Sequence, residues 1–250
     1  MSKYLEFSRS AYYAVVASLP LLLTYEMLLA LDGGGINEGG VRNAPEVWMR
    51  TLLHSLGVST SNATLLMILA LILSIPVVRK ESIRLKASYF GWMLLEALVY
   101  GFLLGIVINY ILAFMFTFFQ PATLGSVLPL AMLGRGGLVQ GLALSLGAGL
   151  FEEFFFRVLL LNALLVGFRP LLPGRKGAVV SILLASFLFS LAHYVGSLGD
   201  DFELYGFVFR WLAGLIFTML YYLRGFAITA YSHAIYDIWV VTGLFRIVGV

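Results

Sequence analysis

The chain has 250 residues, of which 61% are hydrophobic and 12% are charged, with a formal net charge of +3 and no cysteine. Soluble domains are about 45–50% apolar and about 25% charged, so this composition excludes an ordinary soluble domain and indicates a membrane protein. Disulfides and thiolate chemistry are excluded, and no basic run with interleaved aromatic residues indicates a nucleic-acid partner.

Seven apolar stretches approach or exceed the roughly 20 residues that a helix needs to cross the hydrocarbon of a bilayer. They predict an all-α fold, a polytopic transmembrane helical bundle of about seven spans with an eighth possible. The first stretch is predicted to be a retained span, because its apolar core is too long for a cleaved signal peptide. The predicted spans are residues 11–31, 63–78, 89–119, 138–166, 177–195, 204–223 and 226–247.

The loops and two span carboxylates allow further predictions. Residues 46–56 are predicted to form a short interfacial helix with Trp48 as its anchor, and residues 124–133 are too short to span and are expected at the interface. Glu26 is expected near the interface, at the outer end of the first span. Glu96 is expected to snorkel or to be paired structurally.

The distribution of basic residues predicts the orientation of the chain. Lys3 and Arg9 precede the first span, four basic residues follow the second span and three follow the fourth. Cytoplasmic loops carry the excess of Lys and Arg, which predicts an integral, multi-pass protein with a cytoplasmic N-terminus and an outer C-terminus. Two arginines are exceptions to this pattern, since Arg42 and Arg50 lie in the first loop, which is predicted to be outside. The short loops and small size suggest a prokaryotic cell membrane.

The fourth predicted span carries two adjacent carboxylates and an arginine, Glu152, Glu153 and Arg157. Ionisable groups inside a membrane cost free energy and commonly mark functional sites. In an α-helix, residues four apart share a face, which makes Glu153 and Arg157 an ion pair and leaves Glu152 free as a candidate general base. The alternative is that all three form one satisfied structural network. Small residues continue the paired face and predict a close helix contact: Gly141, Ser145 and Gly149.

Two later spans carry further polar pairs. Phe189 and His193 share a face of the fifth span, and His233 and Asp237 share a face of the seventh. Together with the acids they predict a polar pocket between helices. Asp237 either orients the His233 ring or faces the pocket as an independent group.

These motifs, in this order, resemble the CPBP family, the CAAX-prenyl-protease and bacteriocin-processing intramembrane glutamate endopeptidases. The motifs are Glu152-Glu153-x-x-x-Arg157, Phe189-x-x-x-His193 and His233-x-x-x-Asp237. The resemblance covers residues 138–250, which divides the chain into N-terminal spans 1–3 with their loops, residues 1–137, and a catalytic core of the last four spans.

The resemblance implies a role for each motif residue. Glu152 would activate a water molecule and His193 would hold and polarise it, while His233 and Asp237 would stabilise the tetrahedral oxyanion. An aspartic acid donates a hydrogen bond only when it is protonated, so Asp237 is either an oxyanion donor or a ring orienter. Three residues would support the geometry of the site: Glu153, Arg157 and Phe189.

The resulting hypothesis is a membrane protease, a peptide hydrolase that cleaves a membrane-anchored protein or peptide within the bilayer and needs no cofactor. One alternative is a zinc metalloprotease that uses His193, His233 and a glutamate, and it is disfavoured because the chain has no His-Glu-x-x-His motif. The other is a non-enzyme, a proton-coupled transporter or a scaffold, although transporters often contain repeated halves and none is evident.

The predicted spans place the candidate residues at different depths. Glu152 lies at the middle of its span, His193 near the outer end of the fifth span and His233 nearer the inner end of the seventh. They can meet only if helices tilt or if the turn at Arg224 and Gly225 lies within the depth of the membrane.

Overall fold

The computed structural model describes residues 3–32, 41–80, 82–116, 137–196 and 199–245, without the side chains of Thr60 and Ser61. Over these residues every regular element is helical, which confirms the predicted all-α class. The predicted interfacial segment 124–133 and the predicted span ends at residues 119 and 247 lie outside the described residues.

The helices follow the predicted spans closely, and each predicted span coincides with a helix to within a few residues at its described ends. One of them, α6, is continuous over residues 137–168 and changes its helical type along its length. The other bounds are α1 Lys3–Ser8, α2 Ala11–Leu31, α3 Ala44–Ser55, α4 Thr60–Val78, α5 Ala87–Phe116, α7 Arg175–Ala192, α8 Leu204–Arg224 and α9 Phe226–Val241.

Four of these helices, α2, α5, α7 and α8, are long and apolar enough to cross a membrane, and α4 contains a shorter apolar helix. The chain is therefore an integral membrane protein with a polytopic helical fold. The total of seven spans stays a prediction.

The centre of the bundle is formed by α6 and α9, with α5, α8 and α2 packed around them. The small-residue face of α6 is the contact surface, as predicted. A Cβ atom on Gly141 would lie 2.7 Å from Cγ1 of Val241, and one on Gly149 would lie 2.3 Å from the carbonyl oxygen of Ala230. Glycine is therefore required where the two backbones approach most closely.

The short helix predicted at residues 46–56 is present as α3, and its position at the interface stays a prediction. A buried charge network that the sequence had not suggested fixes it to its neighbours. Glu46 is fully buried, and its Oε1 accepts hydrogen bonds from Arg42 Nη1 at 2.5 Å and from Arg50 Nε at 2.6 Å. Glu26 Oε1, on α2, lies 3.2 Å from Arg42 Nη1 and 3.0 Å from Arg50 Nη2. Arg50 also donates to Thr64 on α4 at 2.6 Å. The network joins α2, α3 and α4.

The arginine of the turn between α8 and α9 is buried and paired, while Tyr222 and Leu223 beside it are exposed. Arg224 donates to Glu96 on α5 through Nε at 2.8 Å and Nη2 at 3.0 Å, so the pairing predicted for Glu96 is confirmed. The N-terminal segment covers the turn, since Arg9 donates to the carbonyl of Tyr222 at 3.0 Å and its Cα would lie 3.1 Å from a Cβ on Gly225. His233 on α9 does meet the acids on α6, since its Nδ1 lies 2.7 Å from Glu153 Oε1. The depth of the turn in the membrane stays a prediction.

Candidate active site

The helix that carries the two acids is not a regular α-helix. It is π-helical over Ala148–Glu152 and again over Phe154–Leu161, on both sides of Glu153. The uniform α-helical geometry assumed from the sequence was therefore wrong for this segment. π-Helical turns widen the backbone spiral and are frequent at functional sites.

Side-chain amides bond to backbone carbonyls near both ends of the π-helical region. Asn43, which precedes α3, donates through Nδ2 to the carbonyl of Leu144 at 3.3 Å. Asn162 donates to the carbonyls of Arg157 at 3.1 Å and Val158 at 2.8 Å. These bonds satisfy carbonyl groups where the helical hydrogen-bond pattern changes.

Glu153 and Arg157 form the ion pair expected from their spacing. Arg157 Nη1 lies 3.0 Å from Glu153 Oε1, and the two residues are 1% and 0% exposed. The guanidinium carbon of Arg157 lies 4.4 Å from the ring centroid of Phe189 and 5.6 Å from that of Phe217. Arg157 is therefore held by a carboxylate and two aromatic faces, which compensates for its burial.

His233 is oriented by Glu153. Its Nδ1–H donates to Glu153 Oε1 at 2.7 Å, and its ring stacks on Phe217 with centroids 4.4 Å apart. The shortest distance between its other nitrogen, Nε2, and Asp237 Oδ2 is 3.6 Å, too long for a hydrogen bond. The residue that orients the His233 ring is therefore Glu153 and not Asp237, for which this had been one of two possible roles.

Glu152 faces a different histidine. Its Oε2 lies 3.8 Å from His193 Nε2. The Nδ1 of His193 is 2.9 Å from the carbonyl oxygen of Phe189, and since a carbonyl only accepts, Nδ1 carries a proton. In the neutral ring this leaves the Nε2 lone pair directed towards Glu152.

Each of the two glutamates keeps one buried carboxylate oxygen, Oε2, without a hydrogen-bond partner among the described residues. Glu152 is 9% exposed. Buried polar atoms are nearly always hydrogen-bonded, so both exceptions call for an explanation. The oxygen of Glu152 differs from that of Glu153 in facing a histidine nitrogen at 3.8 Å.

All seven candidate residues therefore come together. Phe189 lies at their centre, with its ring centroid 5.1 Å from that of His193 and 6.1 Å from that of His233. The sequence did not single out Phe217, because no motif distinguishes it among the 20 phenylalanines of the chain. The assembled residues are Glu152, Glu153, Arg157, Phe189, His193, His233 and Asp237.

Of the four phenylalanines beside the acids, two pack against other aromatic rings and two line a cavity. Phe155 packs edge-on against Trp48, with centroids 5.1 Å apart, and Phe156 packs against Phe189 at 5.2 Å. Phe151 and Phe154 line an apolar cavity of about 690 Å³ between α2, α4, α6 and α9.

The fold and the site together define a class: a polytopic helical membrane protein with a buried carboxylate–histidine cluster on its central helices. Residues 134–239 match a family model described as type II CAAX prenyl endopeptidase, Rce1-like. This match is consistent with the CPBP and CAAX protease family, which the three motifs resemble. No curated protein and no solved structure matches the chain.

The family match includes the described part of α6 and runs into α9, and so contains every candidate site residue. The boundary proposed at residue 138 between N-terminal spans and catalytic core stays a prediction.

Proposed function

We propose that the protein is an intramembrane endopeptidase that hydrolyses a peptide bond of a membrane-associated protein or peptide with water activated by Glu152. The observation that carries this proposal is that Glu152 Oε2, which has no hydrogen-bond partner among the described residues, faces His193 Nε2 at 3.8 Å. A water oxygen between these atoms can hydrogen-bond to both at once. We further propose that the N-terminus is cytoplasmic.

In the first step, Glu152 removes one proton from the water molecule. The second O–H of the water donates a hydrogen bond to His193 Nε2 and is held by it. The oxygen attacks the carbonyl carbon of the substrate, and the carbonyl π electrons move onto its oxygen. General base catalysis by a positioned carboxylate contributes about 10²–10⁴-fold in rate.

The tetrahedral oxyanion needs hydrogen-bond donors. His233 supplies one through Nε2–H in its doubly protonated form, since Nδ1–H is already directed at Glu153. Asp237 supplies a second donor when it is protonated. Protonated Glu152 then gives its proton to the leaving nitrogen, the C–N bond breaks, and a carboxylic acid and an amine are released.

The substrate is inferred to be apolar where it meets α6. The cavity beside Phe151 and Phe154 has the lining that an apolar peptide segment or a lipid chain requires, and it lies beside the acid-bearing helix without being lined by any of the seven candidate site residues. Among the described residues no cluster of three or more His, Cys, Asp or Glu side chains could hold a metal ion. The proposed steps use no cofactor.

The test compares wild type with Glu152→Gln in membranes, by quantitative proteomics of peptide ends and by cleavage assays on the peptides found. We expect the substitution to lower cleavage by about 10²–10⁴-fold with an unchanged melting temperature, whereas Asp201→Asn, at an exposed loop position, leaves cleavage intact.

Three results would contradict the proposal. Cleavage that persists in Glu152→Gln would show that Glu152 is not the general base. Loss of activity with a strong chelator, restored by zinc, favours the metalloprotease. Proton flux across liposomes in the absence of any cleaved peptide favours the transporter.

A further inference from the structure

The apolar cavity between α2, α4, α6 and α9 has two chemically different ends. At one end it is lined by Arg9, which precedes α2, and by Tyr221 and Tyr222 near the end of α8. At the other end lie Leu22, at the middle of α2, and Leu150 of α6. The cavity therefore matches an amphipathic ligand that has an anionic or polar head and an apolar chain.

The depth of the cavity corresponds to one leaflet of a bilayer. Its lining on α2 runs over residues 11–22, and at 1.5 Å per residue this stretch is about 16 Å long. The hydrocarbon of a bilayer is about 30 Å thick, so the lining covers about half of it. An acyl chain of one leaflet fits this depth, whereas a peptide segment that crosses the membrane extends beyond it. Of the two occupants that the lining admits, the depth favours a lipid chain.

The cavity opens towards the surrounding bilayer. Helix α2 packs against both α4 and α6, and the cavity lies between these two neighbours. Ala70 on α4 and Tyr222 on α8 line it and are exposed. The outer face of α4 is apolar, with Leu69 and Leu73 exposed. A lipid can therefore enter from the side without passing the buried acids.

The charge at the polar end selects the headgroup. Arg9 is exposed and is the one charged side chain among the described residues that line the cavity. It donates to the carbonyl of Tyr222 through Nη2, but a guanidinium has five N–H donors and can bind a phosphate as well. Arg79 and Arg84 line a second cavity with Tyr12, at the same end of α2 and α4. This end of the bundle therefore attracts a lipid with a net negative charge.

The cavity touches the acid-bearing helix without belonging to the candidate active site. Phe151 and Phe154 line it, and in the chain they stand on either side of Glu152 and Glu153. An occupant would pack against the segment of α6 that carries the acids and would stay apart from the atoms that react in the proposed mechanism.

We propose that this cavity binds one anionic phospholipid from the leaflet on the side of the N-terminus. Its phosphate lies on Arg9, and one acyl chain lies against Phe151 and Phe154. The lipid is a resident ligand taken from the membrane and is not cleaved. The site does not depend on the peptidase activity proposed above.

The first experiment measures the lipids that the protein retains, by native mass spectrometry after release from vesicles of equal parts phosphatidylglycerol and phosphatidylcholine. We expect wild type to retain phosphatidylglycerol with about a 5-fold preference, the factor for one arginine at an anionic surface. Arg9→Gln should abolish the preference, and Arg9→Lys should keep most of it. Lys3→Gln removes the same charge at an exposed position of α1 and should leave the preference unchanged.

A second experiment locates the acyl chain. Phosphatidylglycerol with a diazirine at the end of one acyl chain is irradiated with the protein in vesicles, and the labelled residues are identified by mass spectrometry. We expect labels on Leu22, Met67 and Leu150, and weaker labels when unmodified phosphatidylglycerol is in excess. Ala70→Trp narrows the opening and should remove these labels, whereas Leu73→Trp, on the outer face of α4, should not. Melting temperatures show whether both variants are folded.

Three results would overturn the lipid site: equal retention of the two lipids, a preference unaffected by Arg9→Gln, or labels confined to the exposed outer faces of the helices. Competition for the labelled residues by a peptide that the protein cleaves would make the cavity part of the substrate site instead. Both experiments are repeated with Glu152→Gln protein, in which the lipid should bind as in wild type. Loss of the lipid site and failure of the proposed peptidase are therefore told apart.

Discussion

At the scale of single residues, two neighbouring glutamates have different surroundings. Glu153 Oε1 lies 3.0 Å from Arg157 Nη1 and accepts a hydrogen bond from His233 Nδ1 at 2.7 Å. Glu152 instead faces His193. Glu153 has two partners for its Oε1 and joins α6 to α9. Glu152 has none within hydrogen-bond distance for its Oε2, and we propose that a water molecule binds between that oxygen and His193.

We therefore predict an asymmetry between Arg157 and Glu152. Arg157→Met leaves the carboxylate of Glu153 buried with one partner fewer, and breaking a buried ion pair typically costs about 3–5 kcal/mol. The melting temperature and the yield of folded protein in detergent should both fall, while Glu152→Gln should change neither.

A double substitution provides the control for this prediction. Glu153→Gln/Arg157→Met removes both charges and should be more stable than Arg157→Met alone, because no uncompensated charge is left in the interior. Equal, fold-preserving losses of activity from Arg157→Met and Glu152→Gln would contradict the division of roles.

At the scale of helices, the site depends on the contact of α6 with α9. The π-helical segments alter the spacing of side chains along α6, and the glycines of its small-residue face bring it against the backbone of α9. His233 reaches Glu153 because of this close approach. The geometry of the site is consequently sensitive to side-chain volume at the contact.

Gly149→Ala should therefore disturb the site. The added Cβ would lie 2.3 Å from the carbonyl oxygen of Ala230, a backbone atom that cannot move aside by a rotamer change. Overpacking of this kind costs about 1–3 kcal/mol, so thermal unfolding in detergent should begin at a lower temperature and cleavage should fall.

Gly167→Ala is the matched control, since an added Cβ there meets nothing within 4 Å. It should keep full activity, and removing glycine from a helix should leave stability unchanged or slightly raised. If the two alanine variants behave alike, the close contact is not what positions the acids.

At the scale of the whole molecule, the N-terminal helices support the helix that carries the acids. The network of Glu26, Arg42, Glu46 and Arg50 fixes α3 against α2 and α4, and α3 reaches α6 through the ring contact of Trp48 with Phe155. Burial alone lowers the pKa of Arg42, but the hydrogen bond to Glu26 and the charge of Glu46 raise it above its ordinary value. Arg42 therefore stays charged in the network.

Glu46→Gln should loosen this part of the molecule. Both arginines lose a charged partner, and the cost expected for an incomplete buried ion network is about 3–5 kcal/mol. Hydrogen exchange should become faster in α3 and in the first half of α6. Glu6→Gln, at an exposed position of α1, removes the same charge and should have no effect. Unchanged exchange in α3 after Glu46→Gln would mean that the network does not hold it.

Much of this protein follows from local properties of the chain. The length of each apolar run predicted the helices, because crossing a bilayer demands a minimum number of apolar residues and internally satisfied backbone groups. The three motifs predicted which residues come together in the candidate site. The spacing of Glu153 and Arg157 predicted their pairing, because residues a single turn apart share a helix face. Small residues at the same spacing predicted the close helix contact.

What remained undecided depended on contacts between distant parts of the chain. His233 is oriented by Glu153, 80 positions away, and not by its neighbour Asp237, and the choice follows from how closely α6 and α9 approach. The pairing of Arg224 with Glu96 and the network around Glu46 likewise depend on partners brought by other helices. The sequence by itself determined which groups the membrane interior must accommodate and that Glu153 pairs with Arg157, and only the tertiary structure decided that His233 bonds to Glu153 and that His193 faces Glu152. The physical reason is that a buried charge is stabilised by whichever partner packing places nearby, and for residues on different helices that distance is not encoded in local spacing.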